Sequence, residues 1–425
     1  MKVHMAYGTE GIEFEIDDNI TAEVVKAAME TPLDDPKQAI VEACEKPLFC
    51  PPLRNLLAKR KDGKICIVIS DSTRPVPSKL IIEALIEIFA EYKILDEDIQ
   101  ILIATGLHRK STPKEMKQML GNDIRFRFDI INHVAKDMDT LEYLGENKFG
   151  NPIYINKTYL EAEIKIITGY VEPHFFAGFS GGRKAIVPGI AGSETIAHNH
   201  CKENIGSEKA RFGILKDNPI YEDAIDIAKK TEIKPDFMIN VCINPAHQIT
   251  KVIAGALQSH QELVMYQERL CFHRITERYD VVICGNGGFP LDLDLYQAVK
   301  SMAIGELGVK QGGTIITVNE CRDGVGHPKF EEMINLGLTP TEFLDQLNSG
   351  KITCLDQWES QVLARVLEQF QVFIISSITK AKLGNMGLKY AASVEEALDL
   401  CQQHYGPQMR VLILPDGPMM LPKVQ

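Results

Sequence analysis

The sequence predicts an α/β protein of two domains, each a mainly parallel sheet flanked by helices. Three observations carry that expectation. Short runs rich in isoleucine and valine alternate with amphipathic stretches over most of the chain, which is the pattern of strand–helix–strand units. A charged stretch around residues 265–278 (MYQERLCFHRITER) interrupts the series before a fresh strand begins. The 425 residues exceed one ordinary domain, since domains run at about 150 residues.

The elements follow in chain order. Residues 64–70 form an apolar strand candidate. Residues 78–92 carry Leu80, Ala84, Leu85 and Ile88 at helical spacing. Residues 99–104 are the next strand, and Thr112-Pro113 opens a short helix over 112–120. Residues 164–168 make a third strand. A glycine-rich segment then runs to Gly192, and a helix starts at Ser193-Glu194-Thr195. Residues 237–242 and 249–253 read as two strands joined by a turn through Asn244-Pro245. Strands near 280–284, 313–318, 371–375 and 410–414, with helices between them, form the second series. The expected domains are residues 1–270 and 276–425, with the option that the strand near 410–414 returns to the first domain.

Composition narrows the function classes. Fifty-eight acidic and 46 basic residues give a net charge of −12, and no Lys/Arg-dense stretch offers a basic face to nucleic acid. No apolar run approaches the roughly 20 residues that span a bilayer. The opening MKVHMAYGTEGIEFEI turns acidic without an apolar core, so no secretory signal is read there, and a cytoplasmic enzyme is expected. The ten cysteines include no CxxC pair, and Cys66, Cys242 and Cys284 sit inside apolar runs. They are read as reduced core thiols rather than as chemistry.

In open parallel sheets ligands bind beyond the carboxyl ends of strands, so the loops there are the candidates. The first is Asp71-Ser72-Thr73-Arg74-Pro75-Val76-Pro77-Ser78, where hydroxyls and Arg74 could grip a phosphate or carboxylate. Its plain alternative is a loop in which Ser78 caps a helix and Asp71 pairs with Arg74. The second, Thr105-Gly106-Leu107-His108-Arg109, sets a histidine where proton transfer is usually placed, or simply leaves it solvated. The third, residues 169–192 (GYVEPHFFAGFSGGRKAIVPGIAG), has six glycines in 24 residues against 31 in 425 overall. A flexible linker would be polar and serine-rich. Here the glycines alternate with Phe175, Phe176, Phe179, Ile186, Val187 and Ile190, so a buried loop carrying His174, Arg183 and Lys184 is expected to be a site. In His198-Asn199-His200 two histidines two apart on a helix face different ways, so only one can enter that site. The second domain offers Gly285-Asn286-Gly287-Gly288-Phe289-Pro290, whose spacing is not that of a dinucleotide fingerprint. After it Tyr296 or Gln297 lies one helical turn from Lys300.

Together, DSTRPVPS, TGLH, EPHFFAGFSGGRKAIVPGIAG, HNH and YQAVK, in this order, resemble the nickel-dependent lactate racemase family nearly end to end. The resemblance implies a two-domain protein with its active site in the cleft between the domains. It also implies a nickel-pincer nucleotide, a pyridinium mononucleotide with two sulfur-bearing arms, joined covalently through Lys184. By the same resemblance His200 completes the nickel coordination, and His108 and His174 are the acid–base pair. Asp71, Ser72, Thr73 and Arg74 contact the cofactor, with Ser72 standing where relatives can carry histidine. Gln297 and Lys300 contact the substrate, with Tyr296 and Trp358 beside the pocket. The implied partners are a small 2-hydroxy acid and the enzymes that make the cofactor.

The expected reaction is racemisation of a lactate-type 2-hydroxy acid. Its C2 proton is too weakly acidic beside a carboxylate to be removed easily. Loss of a hydride to the cofactor, with the hydroxyl proton going to an imidazole of ordinary pKa about 6.5, gives a planar 2-keto acid instead. Arg74 and Lys300 suit the carboxylate. Three other readings stay open: a racemase or epimerase of another 2-hydroxy acid, a zinc-type hydrolase using several of His108, His174, His198 and His200, and a non-catalytic hydroxy-acid sensor.

Overall fold

The computed structural model describes residues 1–425, which fold as two compact units: Met29–Glu268, and Met1–Ala28 together with Arg269–Gln425. In the first unit six strands lie in the order Ile249–Gly255, Phe237–Ile243, Ile164–Tyr170, Ile65–Ser70, Ile99–Ala104, Asp129–Asn132. All neighbours are parallel except the first pair. Ile65, Ile67 and Ile69 are fully buried, as are Ile101 and Ile103, which is why these strands read as continuous apolar runs rather than alternating ones. One face packs Ile81, Ile82, Leu85 and Phe89 of the Ser78–Glu91 helix into the same core. The register sets Ile65 opposite both Ile99 and Ile164, so the loops after these three strands emerge from one edge of the sheet.

Two elements differ from expectation. The helix opened by Thr112 ends where expected, at the non-helical Gly121 (φ 77), but a second helical stretch follows the kink and carries the element to Arg127. The Asp129–Asn132 strand has only two apolar residues, too few for a pattern.

The second unit is a six-stranded sheet in the order Lys389–Tyr390, Gln371–Ile375, Val309–Val318, Tyr279–Gly285, Arg410–Leu414, Thr21–Val24, parallel throughout. The first 28 residues therefore belong here, not with the residues that follow them in the chain. Thr21–Val24 pairs with Arg410–Leu414, and Met5 and Phe14 of the Lys2–Met5/Ile12–Glu15 hairpin, with Ile16 just after it, join Val281, Ile283 and Ile413 in one core. Arg410–Leu414 lies between two strands of this sheet and does not return to the first unit's. No helix is long and apolar enough to cross a membrane. All ten cysteines are free thiols, and burial pushes Cys66, Cys242 and Cys284 up to about 12, so they are inert at neutral pH.

Candidate active site

The site in the Met29–Glu268 unit begins at Asp71, one residue past the Ile65–Ser70 strand. Its Oδ1 accepts from the Thr73 backbone N–H at 3.2 Å and the Thr73 hydroxyl at 2.7 Å. Its Oδ2 lies 2.7 Å from His108 Nδ1. Burial alone would raise this carboxyl, but His108, Arg74 and Thr73 outweigh it and hold it at about 2. The carboxylate fixes His108 as the Nδ1–H tautomer and leaves the lone pair on Nε2, the arrangement of an oriented general base. So Asp71 pairs with His108 across two loops, and the Arg74 charge of the plain alternative acts on the same carboxyl.

The glycine-rich segment is built around Phe176. The His174 ring stands edge-on to it with centroids 4.6 Å apart, the His200 ring does the same at 5.0 Å, and Lys184 Nζ lies 5.6 Å above its face. Lys184 Nζ is 3.0 Å from His174 Nε2. Burial, and then the Lys184 charge, push the His200 imidazole down to about 3, so it is neutral at any ordinary pH. His198, two residues earlier, is exposed. The Ser193–Asn199 helix carries His198 on its exposed face and ends one residue before His200, which caps it and is buried.

The loop's shape explains its glycines. Gly181 has φ 74 and Gly182 φ 54. A Cβ on Gly181 would sit 2.6 Å from Asn240 Oδ1, and one on Gly182 only 2.8 Å from His260 Cγ. Both neighbours are working partners. Asn240 Oδ1 accepts from the Gly182 N–H at 2.7 Å, and His260 Nε2–H donates to the Ser180 carbonyl at 2.7 Å. Farther along, His133 Nε2–H donates to the Ala191 carbonyl at 2.9 Å, and Gly106 N–H donates to the Gly189 carbonyl at 2.9 Å, tying the His108 loop to this one. The sequence reading missed Asn240, His260, His133 and the role of Phe176. Only Asn240 had a signal, a polar residue inside FMINVCI.

The remaining candidates lie in the other unit, at the start of the Leu295–Gly308 helix. The Lys300 ammonium donates to Gln297 Oε1, so the two share a face. The Tyr296 hydroxyl donates to Asp356 Oδ1 at 2.7 Å and accepts from Trp358 Nε1–H at 3.2 Å. His327 Nδ1 lies 2.8 Å from the second Asp356 oxygen. Asp356 and His327 had not been singled out. The expected glycine loop here serves backbone packing: Gly288, at φ 74, has the Gly8 carbonyl 2.9 Å from where a Cβ would stand.

No three of the histidine, cysteine, aspartate and glutamate side chains cluster so as to hold a metal ion. A metal at His200 would need its other ligands from a bound molecule. The residues fit a group of that kind: one buried neutral imidazole, one amine beside it, and a backbone cradle that side chains would fill.

Comparison with known proteins gives a consistent answer. Residues 7–213 match the lactate racemase N-terminal domain, and residues 275–421 the lactate racemase C-terminal domain. The lactate racemase of Thermoanaerobacterium thermosaccharolyticum is 34% identical over 421 residues, covering 98% of this chain and 97% of that one. That of Lactiplantibacillus plantarum is 38% identical over 382 residues, covering 88% and 89%. The solved apoprotein of the Thermoanaerobacterium enzyme superposes with a TM-score of 0.91 over both whole chains at 33% identity. A Thermotoga maritima protein shares the fold alone, at a TM-score of 0.71 and 19% identity, over 94% of this chain and all of that one. The chain is a member of the lactate racemase family, and its enzymes are isomerases.

Proposed function

We propose that this protein racemises a small 2-hydroxy acid of the lactate type with a nickel-pincer nucleotide bound in the Met29–Glu268 unit. The observation that carries the reading is the meeting of His174, Lys184 and His200 around Phe176, in a loop tied at Gly189 to the loop of the Asp71–His108 pair. Lys184 would anchor the group, His200 would ligate its nickel through the neutral imidazole, and Asp71, Ser72, Thr73 and Arg74 would contact its remainder. When bound, the group supplies a hydride acceptor for C2 of the substrate.

The chain's own residues handle protons and position. His108 Nε2 takes the hydroxyl proton from one enantiomer, since Asp71 orients the ring through Nδ1 and stabilises the imidazolium that forms. His174 serves the other enantiomer: its Nδ1 accepts from the Phe176 N–H at 3.5 Å and the Ala177 N–H at 3.3 Å, so the neutral ring carries its proton on Nε2 and gives it to the oxygen as that enantiomer forms. Its proton partner in the cofactor-free chain is the Lys184 amine at 3.0 Å, which covalent anchoring would remove. Arg74 neutralises the substrate carboxylate. Lys300 and Gln297 are assigned to the same carboxylate and to the hydroxyl, with Tyr296 and Trp358 bounding the side chain. The Tyr296 proton is committed to Asp356, so this hydroxyl accepts rather than donates toward a ligand.

The test is chiral chromatography of D- and L-lactate, and of larger and dicarboxylic 2-hydroxy acids, after incubation with protein from a host that makes the cofactor. Both lactate enantiomers are expected to reach a 1:1 mixture, and protein from a host without the cofactor is expected to be inert. Conversion of a different 2-hydroxy acid with lactate untouched would move the substrate assignment. The zinc-hydrolase reading has no support in the side-chain geometry, because three protein ligands do not converge.

A further inference from the structure

The asparagine between the two histidines of HNH is buried in a hydrogen-bond network of its own. Asn199 is the last residue of the Ser193–Asn199 helix and immediately precedes His200, whose backbone N–H closes the helix on the Ile196 carbonyl at 2.8 Å. The Asn199 side chain is 1% exposed. Its Nδ2 donates to Asp223 Oδ2 at 2.6 Å and to the Ile220 carbonyl at 3.0 Å, both on the Pro219–Ala228 helix. The other Asp223 oxygen accepts from Asn147 and, at 2.6 Å, from Asn151, both in the turn of the Leu141–Glu146/Pro152–Asn156 hairpin. Asp223 is itself 2% exposed, and its donors are three carboxamides, with no guanidinium or ammonium. A buried carboxylate held only by neutral donors is an expensive feature for a fold to keep unless its geometry matters.

We infer that Asp223 is a positioning residue: through Asn199 it fixes the end of the helix that presents His200, and so sets the aim of the proposed nickel ligand. The inference rests on the assignment of His200 given above. Asp223 is the only link that fastens both the hairpin and the histidine helix to the Pro219–Ala228 helix through a single carboxylate. Cutting its two arms therefore has different consequences. Losing the Asn151 arm loosens the hairpin and leaves the His200 arm whole. Losing the Asn199 arm frees the residue next to the ligand. Partners that orient a metal ligand typically change metal affinity by about 10–100-fold when removed.

The experiment uses holoenzyme from a cofactor-producing host. It measures first-order nickel release under excess chelator, alongside the unfolding midpoint of each cofactor-free chain. Asn199→Ala and Asp223→Asn are expected to release nickel at least about tenfold faster than wild type. Asn151→Ala is expected to stay within about twofold although its unfolding midpoint also falls. The double variant Asn199→Asp/Asp223→Asn exchanges donor and acceptor and is expected to release more slowly than either single variant. If nickel release simply follows the unfolding midpoint across Asn199→Ala and Asn151→Ala, the role is structural and the inference is overturned. Should Asp223→Asn fail to fold, that pair still decides. A His200→Ala arm separates the two ideas. Wild-type nickel in that variant overturns the ligand assignment, whereas nickel loss there with slow release from Asn199→Ala overturns only the positioning role.

Discussion

Two glycine-rich loops, one in each unit, follow strands of parallel sheets, and they do opposite things. In the Met29–Glu268 unit, Gly181 and Gly182 bend so that the Asn240 and His260 side chains can reach the backbone, and the loop presents His174 and Lys184. In the other unit, Gly288 packs under the Gly8 carbonyl, and the Gly417 Cβ position lies 2.7 Å from the Gly287 nitrogen. That second loop is filled by backbone from its own unit. Glycine density therefore marks where backbone must come close. What lies opposite the glycine, a side chain or another strand end, decides whether the place has chemistry.

The sharpest way to break this contrast is Lys184→Ala, which is expected to abolish the covalent cofactor adduct completely in the intact-protein mass. An unchanged adduct would remove the loop's main chemical role. Next, His200→Ala is expected to lose its nickel by elemental analysis, and His198→Ala to keep it, since the latter side chain is exposed. His108→Ala and His174→Ala should each retain nickel and lower kcat by about 100-fold or more, the usual contribution of one positioned acid–base group. A change confined to KM in either would reduce that residue to substrate binding.

Smaller effects separate the loops by stability. Gly182→Ala and Gly288→Ala each place a Cβ at positive φ within 2.9 Å of a neighbour. Each is expected to cost about 2–4 kcal/mol in chemical denaturation. Only the first should also slow adduct formation, because only that loop carries Lys184.

Acid offers the last contrast. All four buried histidines, 133, 174, 200 and 260, lie in the Met29–Glu268 unit. Burial lowers His133 to about 4 and His200 and His260 to about 3. These folded values lie below the unfolded value of about 6.5, so the unfolded chain binds more protons in between. Stability is then full above about pH 6.5 and falls as pH drops toward the folded pKa values, with His133 alone worth about 3 kcal/mol. Hydrogen exchange between pH 7 and 4 should show this unit losing protection before the other. Equal loss in both would contradict the assignment.

Much of this was legible in the sequence. The apolar runs at Ile65–Ser70, Ile99–Ala104 and Arg410–Leu414 fall where periodicity put strands, because strands buried on both faces need unbroken isoleucine and valine. Only one histidine of HNH is buried, as expected, but the helix that was to run to Cys201 stops at Asn199 and His200 is its cap. The sequence could not reveal that the first 28 residues fold with the last 157. Thr21–Val24 is a four-residue edge strand whose partner lies nearly 400 residues away. Nor could it reveal the pairing of Asp71 with His108, since contacts between successive loops depend on sheet order rather than on local pattern.

The central claim, that carbon 2 is inverted by movement of hydride while His108 and His174 move only the hydroxyl proton, is tested most directly with lactate deuterated at C2. The protein with its cofactor is incubated with one labelled enantiomer in ordinary water, and the opposite enantiomer is isolated and its mass measured. The account predicts that the product keeps its deuterium, because a hydride does not exchange with solvent. Product carrying solvent hydrogen at C2 would mean that a proton was abstracted there, and the account would be wrong.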